Sequence, residues 1–314
     1  MHPAFSVIFF TVTSGAGYGL IAITAIYSAF DFSQPMTGEQ TLLLSAVALV
    51  LITSGLISST FHLANPKNAW RAFSRVRTSW LAREGLLAIL FYPIVMLYVY
   101  LVWRGVDASN STAITALALL TGVWAIVTVF STGMIYASLK TIRQWNNALT
   151  PVNYISLGLM LGGLLFLLLL SLSGDVSANL TMVASYMVVI AATIKIVYFF
   201  WIGTPAGPTI NTATSFTSRT VRLLDVGHTA GTFLTDEFGY QVARDRLVAL
   251  RWVAMVLGFI LPSLIVWFGL GEGDNTLMLA AAVISAFAGV AVERWLFFAE
   301  ARHVVNLYHG AQQC

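Results

Sequence analysis

Apolar runs constrain this chain more than any other feature it has. A membrane-spanning helix needs about 20 mostly apolar residues. Eight stretches meet that length: Phe5–Phe30, Thr41–Phe61, Gly85–Trp103, Ala113–Leu139, Val152–Leu172, Ala178–Ile202, Val248–Leu270 and Thr276–Phe298. Only 9% of the 314 residues are charged and 58% are hydrophobic, whereas a soluble domain carries about 25% charge. Length alone would allow about two soluble domains. The runs override that prior and predict one integral-membrane domain over 1–314. It is an all-α polytopic bundle of eight transmembrane helices, with an interfacial helix between the second and third. The first run lacks a basic leading region and a small-residue cleavage site, so it is read as a span and not as a signal peptide.

The residue inventory excludes several chemistries. Cys314 is the single cysteine, so no disulfide, cysteine-ligated cluster or CxxC pair can form within the chain. Iron–sulfur clusters, if electrons pass through them, belong to another subunit. Of the five histidines only His62 adjoins a span near the middle of the chain. His2, His228, His303 and His309 lie in tails or loops, so neither a two-histidine haem b nor a metal site is expected. His228 is read as an ordinary loop histidine rather than a ligand.

Charge placement gives an orientation. Eight spans put both termini on one side, with segments 1–4, 62–84, 140–151, 203–247 and everything after 298, and these hold twelve Lys and Arg. The opposite segments, 31–40, 104–112, 173–177 and 271–275, hold Arg104 alone. The positive-inside rule then expects both termini in the cytoplasm of a bacterial cell, with the protein in its inner membrane. A basic face built to dock an acidic partner would inflate the same count. The 203–247 segment opens on Gly203, Pro205 and Pro208, which break helices. Its apolar content points to a folded cytoplasmic surface for a partner.

Five of the twelve cations fall in Phe61–Glu84, FHLANPKNAWRAFSRVRTSWLARE: Lys67, Arg71, Arg75, Arg77 and Arg83. Pro66 suits a helix start. Ala69, Phe73, Val76 and Trp80 recur at helical spacing, and Lys67, Arg71 and Arg75 recur on another face. This predicts a helix lying in the interface, its basic side turned to lipid phosphates or a partner protein, with no nucleic acid involved. His62 and Glu84 bound the loop. Imidazole titrates near neutrality, and a carboxyl group at a partly desolvated edge can hold a proton. Quinone redox chemistry needs such groups, together with an apolar slot and a nearby electron donor. Trp80 and Phe73 are candidates to wall the ring. Ser79, Arg77 and Arg83 are candidates to orient its carbonyls or hold Glu84 ionised, although Arg83 is also read as a plain charge at the water line.

Inside the runs, Lys195, Glu293 and Arg294 are rare charges of a kind that is often functional, but they are expected to snorkel to the interface. Tyr92, Tyr98, Tyr100, Trp103, Trp145, Tyr198 and Trp201 are read as an interfacial belt. Ser14, Gly15, Ala16, Gly17 and Gly19 either let helices approach closely or leave room for a flat ring.

The 61–84 stretch resembles the loop between the second and third helices of the DmsC family, the membrane anchors of molybdenum oxidoreductases such as dimethyl sulfoxide reductase. The opening HPAFSVIFFTVTSGAGYG is similar to a branch that anchors cytoplasmic sulfite-oxidising complexes. RLLDVGHTAGTFLTDEFGYQVARDRLVALR resembles the family's long cytoplasmic-side segment, which often has proline where Val226 and Gly227 stand. The resemblance covers all eight spans. It implies a haem-free subunit that binds a quinone, ubiquinone or menaquinone, near the last iron–sulfur cluster of a ferredoxin-like partner. A second partner carries the molybdopterin. His62 would bond or protonate the quinone and Glu84 would assist proton transfer, with Arg71, Arg75 and Trp80 as secondary positions. Enteric dimethyl sulfoxide reductases place their catalytic subunits outside, whereas this loop is expected inside. The expectation is therefore a cytoplasm-facing sulfite:quinone oxidoreductase, this chain passing electrons from the iron–sulfur subunit to quinone. Three other readings stay open. One is a quinol-oxidising anchor for a sulfoxide, N-oxide or polysulfide reductase. The second is a small-molecule transporter, against which the chain shows no inverted repeat. The third is an anchor without a quinone site.

Overall fold

The structure, a computed structural model, describes residues 2–30, 36–61, 63, 65–106, 111–174, 176–203, 207–217, 220–225, 232, 238–239, 244–269 and 275–314. Among the described residues, eight helices are long and apolar enough to cross a membrane. They are α1 (Phe5–Phe30), α2 (Gly38–Thr60), α3 (Trp80–Trp103), α4 (Thr112–Ala137), α5 (Leu149–Ser171), α6 (Ala178–Gly203), α7 (Arg246–Phe268) and α8 (Thr276–Ala299). Among the described residues the only β pairing is two isolated bridges, so the expected all-α polytopic bundle is the observed one. Two helices begin earlier than hydropathy alone predicts, because polar residues cap them. Thr37 and Gln40 close a reciprocal capping box on α2 at 3.2 and 2.9 Å. Ser79 caps α3 by accepting from the Ala82 N–H at 3.4 Å.

α1 is the hub of the bundle and packs against α2, α4, α5 and α8. Its small residues explain the position. A Cβ at Gly17 would stand 2.7 Å from the Ala48 carbonyl oxygen, and one at Gly55 of α2 would stand 2.8 Å from Thr13 Oγ1. A Cβ at Gly19 would overlap the Gly158 carbonyl of α5, and one at Gly162 would overlap the Gly19 backbone. Lipid supplies no hydrophobic drive between helices, so close backbone contact of this kind is what binds them. The small-residue stretch is thus used for packing. The two cavities beside it measure about 10 Å³ each, which is room for a water and not for a quinone ring.

α3 packs on α2 and α4, and α6 packs on α5. α7 lies against α8 and alternates α-helical and π turns, with π turns at Val256–Ile260 and Ile265–Gly269. Pro262 follows the first of these. A proline ring displaces the preceding carbonyls, and a π turn gives them room.

Several aromatics assigned to the interfacial belt belong to the core. Tyr98 is buried and shares a 2.6 Å hydrogen bond with Ser28. Trp145 donates to the Phe297 carbonyl at 2.8 Å, and Tyr198 donates to the Gln144 carbonyl at 3.0 Å. A polar tip that finds a carbonyl does not need the water line. Tyr100 and Trp103 do stay exposed.

The ends of α2, α4, α6 and α8 share one face with the starts of α3, α5 and α7. There the C-terminal tail ties the loops together. Ile142 bridges to His303 and Thr209 to Gln313, and His303 stacks on Phe238 at 4.7 Å. Part of 203–247, His228 included, lies outside the described residues. Within it Ile210–Thr214 forms a short helix, and the Ile210 N–H donates to the Gln312 carbonyl at 3.1 Å.

Candidate functional site

The loop between α2 and α3 carries a 3₁₀ helix, Pro66–Arg75. Lys67, Arg71 and Arg75 were expected in one row on an α-helix. At three residues per turn, steps of four splay them around the axis instead. The helix is exposed throughout, with Trp70 at 68% and the cations in the open. His62 lies outside the described residues.

Glu84 sits in the second turn of α3, 7% exposed. Its Oε1 is 2.5 Å from Thr132 Oγ1 on α4. Thr132 Oγ1 is also 3.2 Å from the Thr128 carbonyl oxygen. Among the described residues Glu84 forms no ion pair. Arg83 is turned away from it: its Nε donates to the Val76 carbonyl at 2.9 Å and its Nη2 to the Arg77 carbonyl at 2.8 Å. Its guanidinium covers the Trp80 ring at 4.3 Å. Arg83 therefore clamps the end of the loop onto α3. Trp80 meets Phe130 edge-to-face at 6.0 Å, and Phe73 Cε1 is 3.7 Å from where a Gly85 Cβ would stand. Both aromatics thus flank the turn that holds Glu84. Ser79 uses its hydroxyl to cap α3. Arg71, Arg75 and Arg77 are exposed, and none pairs with Glu84.

A second polar centre was not expected. Lys195 on α6 is fully buried and pairs with Glu293 on α8. Glu293 also accepts from its neighbour Arg294 through Nε at 2.5 Å and Nη2 at 2.9 Å. All three were expected to snorkel. They are buried instead, because the charges satisfy one another and the Arg294 and Lys195 heads lie over the Tyr154 and Tyr198 rings at 4.3 and 4.2 Å. The guanidinium takes the ring face of Tyr154, and the phenol hydroxyl is left with no hydrogen-bond partner among the described residues. Tyr136, one turn beyond Thr132 on α4, stacks on Tyr154 at 5.7 Å and 17°. Both tyrosines lie within electrostatic reach of Glu84. The sequence signal for this centre was the acid–base pair Glu293-Arg294 inside an apolar run. Thr132 and Tyr154 had none.

At the end of α8, Glu300 accepts from Arg251 Nε at 2.7 Å. Burial pushes its carboxyl above the ordinary range, against the pull of Arg251. Among the described residues no cluster of His, Cys, Asp and Glu is arranged to hold a metal.

Residues 1–299 match the family described as DMSO reductase anchor subunit (DmsC). The chain is 33% identical to a sulfite dehydrogenase subunit from Allochromatium vinosum, over 98% of this chain and 99% of that one. It is 31% identical to one of the chains of the anaerobic dimethyl sulfoxide reductase from Escherichia coli K12 over 126 residues, 40% of this chain and 43% of that one.

Proposed function

We propose, from the premise that this chain belongs to the DmsC family of DMSO reductase anchor subunits, that it is the membrane anchor and quinone-reactive subunit of a molybdenum oxidoreductase complex. The observation that carries the quinone assignment is Glu84. It is a buried carboxyl group one turn below an exposed basic and aromatic loop, held by a single neutral donor, Thr132. An intramembrane carboxyl group with no cation beside it is costly unless it holds a proton, and it is a functional group by default. Placed beside Trp80 and Phe73, it can pass that proton to a ring oxygen. His62, at the other end of the loop, is the partner assigned to the second oxygen. Arg71, Arg75 and Arg77 face outward, and their role is in docking an iron–sulfur subunit. Ser79 and Arg83 shape the loop.

The family likeness favours sulfite as the electron source, since the relative matched along nearly its whole length is a sulfite dehydrogenase subunit. In this reading the iron–sulfur and molybdopterin subunits sit on the cytoplasmic face, electrons flow to ubiquinone or menaquinone, and both termini are cytoplasmic. The shorter likeness to a dimethyl sulfoxide reductase supports a second reading in which the same site oxidises quinol. Sulfite-driven reduction of a short-chain ubiquinone by the complex that co-purifies with this chain tests the first. Quinol-driven reduction of a sulfoxide, with no sulfite activity, would select the second.

A further inference from the structure

The Lys195–Glu293–Arg294 centre has no task in the quinone site as described, yet its groups and Glu84 occupy one layer of the bundle. Glu84 is in the second turn of α3, Thr132 and Tyr136 are in the last two turns of α4, and Tyr154 is in the second turn of α5. Lys195 lies about two turns before the end of α6, and Arg294 about one and a half turns before the end of α8. Consecutive spans run in opposite directions, so all of these positions lie beneath the same face.

Charge links them. Lys195 and Arg294 are two cations against the single anion Glu293, and Arg251 and Glu300 neutralise each other. Among the described residues the buried set is therefore neutral when Glu84 is ionised, and it carries one surplus positive charge when Glu84 is protonated. Tyr18 of α1 also lies within electrostatic reach of Glu84.

A shared space joins two members of the set, Tyr154 and Arg294. A cavity of about 10 Å³ is walled by Thr11, Gly15, Tyr154, Val290 and Arg294, which is room for about one water. The unpartnered Tyr154 hydroxyl is buried beside it.

We propose that this cavity holds one ordered water, bonded to the Tyr154 hydroxyl and the Arg294 guanidinium, and that water, Tyr154, Tyr136 and Thr132 pass protons to Glu84 from the Lys195–Glu293 pair. The inference rests on the quinone reading of Glu84. Reduction of a quinone takes two electrons from the partner's iron–sulfur cluster and two protons. Glu84 gives one proton to a ring oxygen and becomes a carboxylate. A proton moving along the water and the hydroxyls restores the carboxyl for the next turnover, and the second ring oxygen takes its proton at the His62 end of the loop. Lys195 is the cation able to release a proton; Arg294 keeps its charge and orients the water. Glu300, whose Oε2 is buried without a hydrogen-bond partner among the described residues and which lies within electrostatic reach of Lys195, resupplies the pair from the partly exposed end at Arg251. Once Lys195 has been reprotonated through Glu300, the set carries the surplus positive charge, which favours the next release from Glu84 toward the quinone.

The test is ubiquinone reduction by the purified complex in H₂O and in D₂O. Gly15→Ala is the sharpest variant. Gly15 is buried, but a Cβ there meets no atom within 4 Å, so the methyl group enters the cavity and displaces the water without a clash. Tyr154→Phe removes the hydroxyl instead. Each is expected to slow turnover about tenfold or more and to enlarge the solvent deuterium effect. Wild-type rates and isotope effects in both, beside a Glu84→Gln variant that has lost turnover, would overturn the relay and leave the quinone site standing. Full turnover in Glu84→Gln would overturn the quinone site, and the relay with it.

Discussion

Thr132 has one hydroxyl proton and two acceptors in reach, Glu84 Oε1 at 2.5 Å and the Thr128 carbonyl at 3.2 Å. It can donate to an ionised Glu84. When Glu84 is protonated the carboxyl group donates to Thr132, which then turns its own proton to Thr128. One side chain thus serves both states of the acid, and no other described residue hydrogen-bonds to Glu84. Thr132→Val leaves the buried carboxyl without a partner, a loss of about 1–3 kcal/mol. Where that loss falls on proton transfer, quinone turnover drops about tenfold to a hundredfold. Thr132→Ser restores the hydroxyl and keeps most of the rate. Equal rates in the two variants would remove Thr132 from the site. Nothing in the sequence marks this threonine, because a hydroxyl in an apolar run usually bonds its own helix, as Thr128 and Ser131 do. Glu84 was legible because a carboxyl group at the edge of an apolar run is rare. Its separation from the arginines was not: Arg83 is its neighbour in sequence, but the helix turns the two side chains to different faces.

Among the elements, the crossing of α1 and α5 depends on backbone contact at Gly19, Gly158 and Gly162. Gly19→Ala sets a methyl group against the Gly158 carbonyl, which cannot yield without moving α5. A cost of at least about 1–3 kcal/mol is expected, read as a lower melting temperature in detergent. Gly15→Ala, four residues earlier on the same helix, meets no atom and should melt at or above the wild-type temperature, since alanine is favoured over glycine in helices by about 1 kcal/mol. The glycines were legible as a packing stripe but not one by one, because which of them touches α5 depends on how the helices cross. The tail is an element of a different kind. His303 Nδ1 accepts from the Val305 N–H at 3.1 Å, which requires a neutral imidazole, and burial lowers its pKa below the ordinary value. A depressed histidine stabilises the docked tail fully above its unfolded value of about 6.5. That stability falls as pH drops below it, because the undocked tail takes the proton first. Protection of the Val304 amide, which donates to the Thr141 carbonyl, should therefore weaken as the pH falls below about 6.5. A protection factor that stays flat, or rises, over that range would show that the tail does not depend on His303.

At the scale of the whole molecule, the number of spans was legible because length and apolarity are local properties. The pairing of Lys195 with Glu293 was not, since it joins helices 98 residues apart in sequence, and a lone charge near a helix end has no sequence sign to separate it from a snorkelling one. Sidedness joins the fold to the proposed function. The exposed 3₁₀ helix, the 138–148 loop and the tail share a face with twelve of the chain's 16 cations by the segment count, and the proposed function takes that face, by the positive-inside rule, as the cytoplasmic one. Asn68 is exposed on the 3₁₀ helix and Arg104 is exposed on the opposite face. The native Cys314 is buried and its thiol is pushed up by burial, so it reacts slowly; a Cys314→Ser background removes it altogether. In that background, Asn68→Cys should react with a membrane-impermeant maleimide in inverted vesicles and not in intact cells, and Arg104→Cys should show the reverse. Docking of the iron–sulfur subunit over Trp70 and Arg71 adds a further expectation: Asn68→Cys should lose reactivity when that subunit is bound and regain it when the subunit is stripped, while Arg104→Cys stays constant. Labelling of Asn68→Cys from outside would place catalysis outside the cytoplasm and favour the quinol-oxidising reading. Inside labelling that the partner does not change would move the docking surface away from the loop, to the tail and the 203–247 segment.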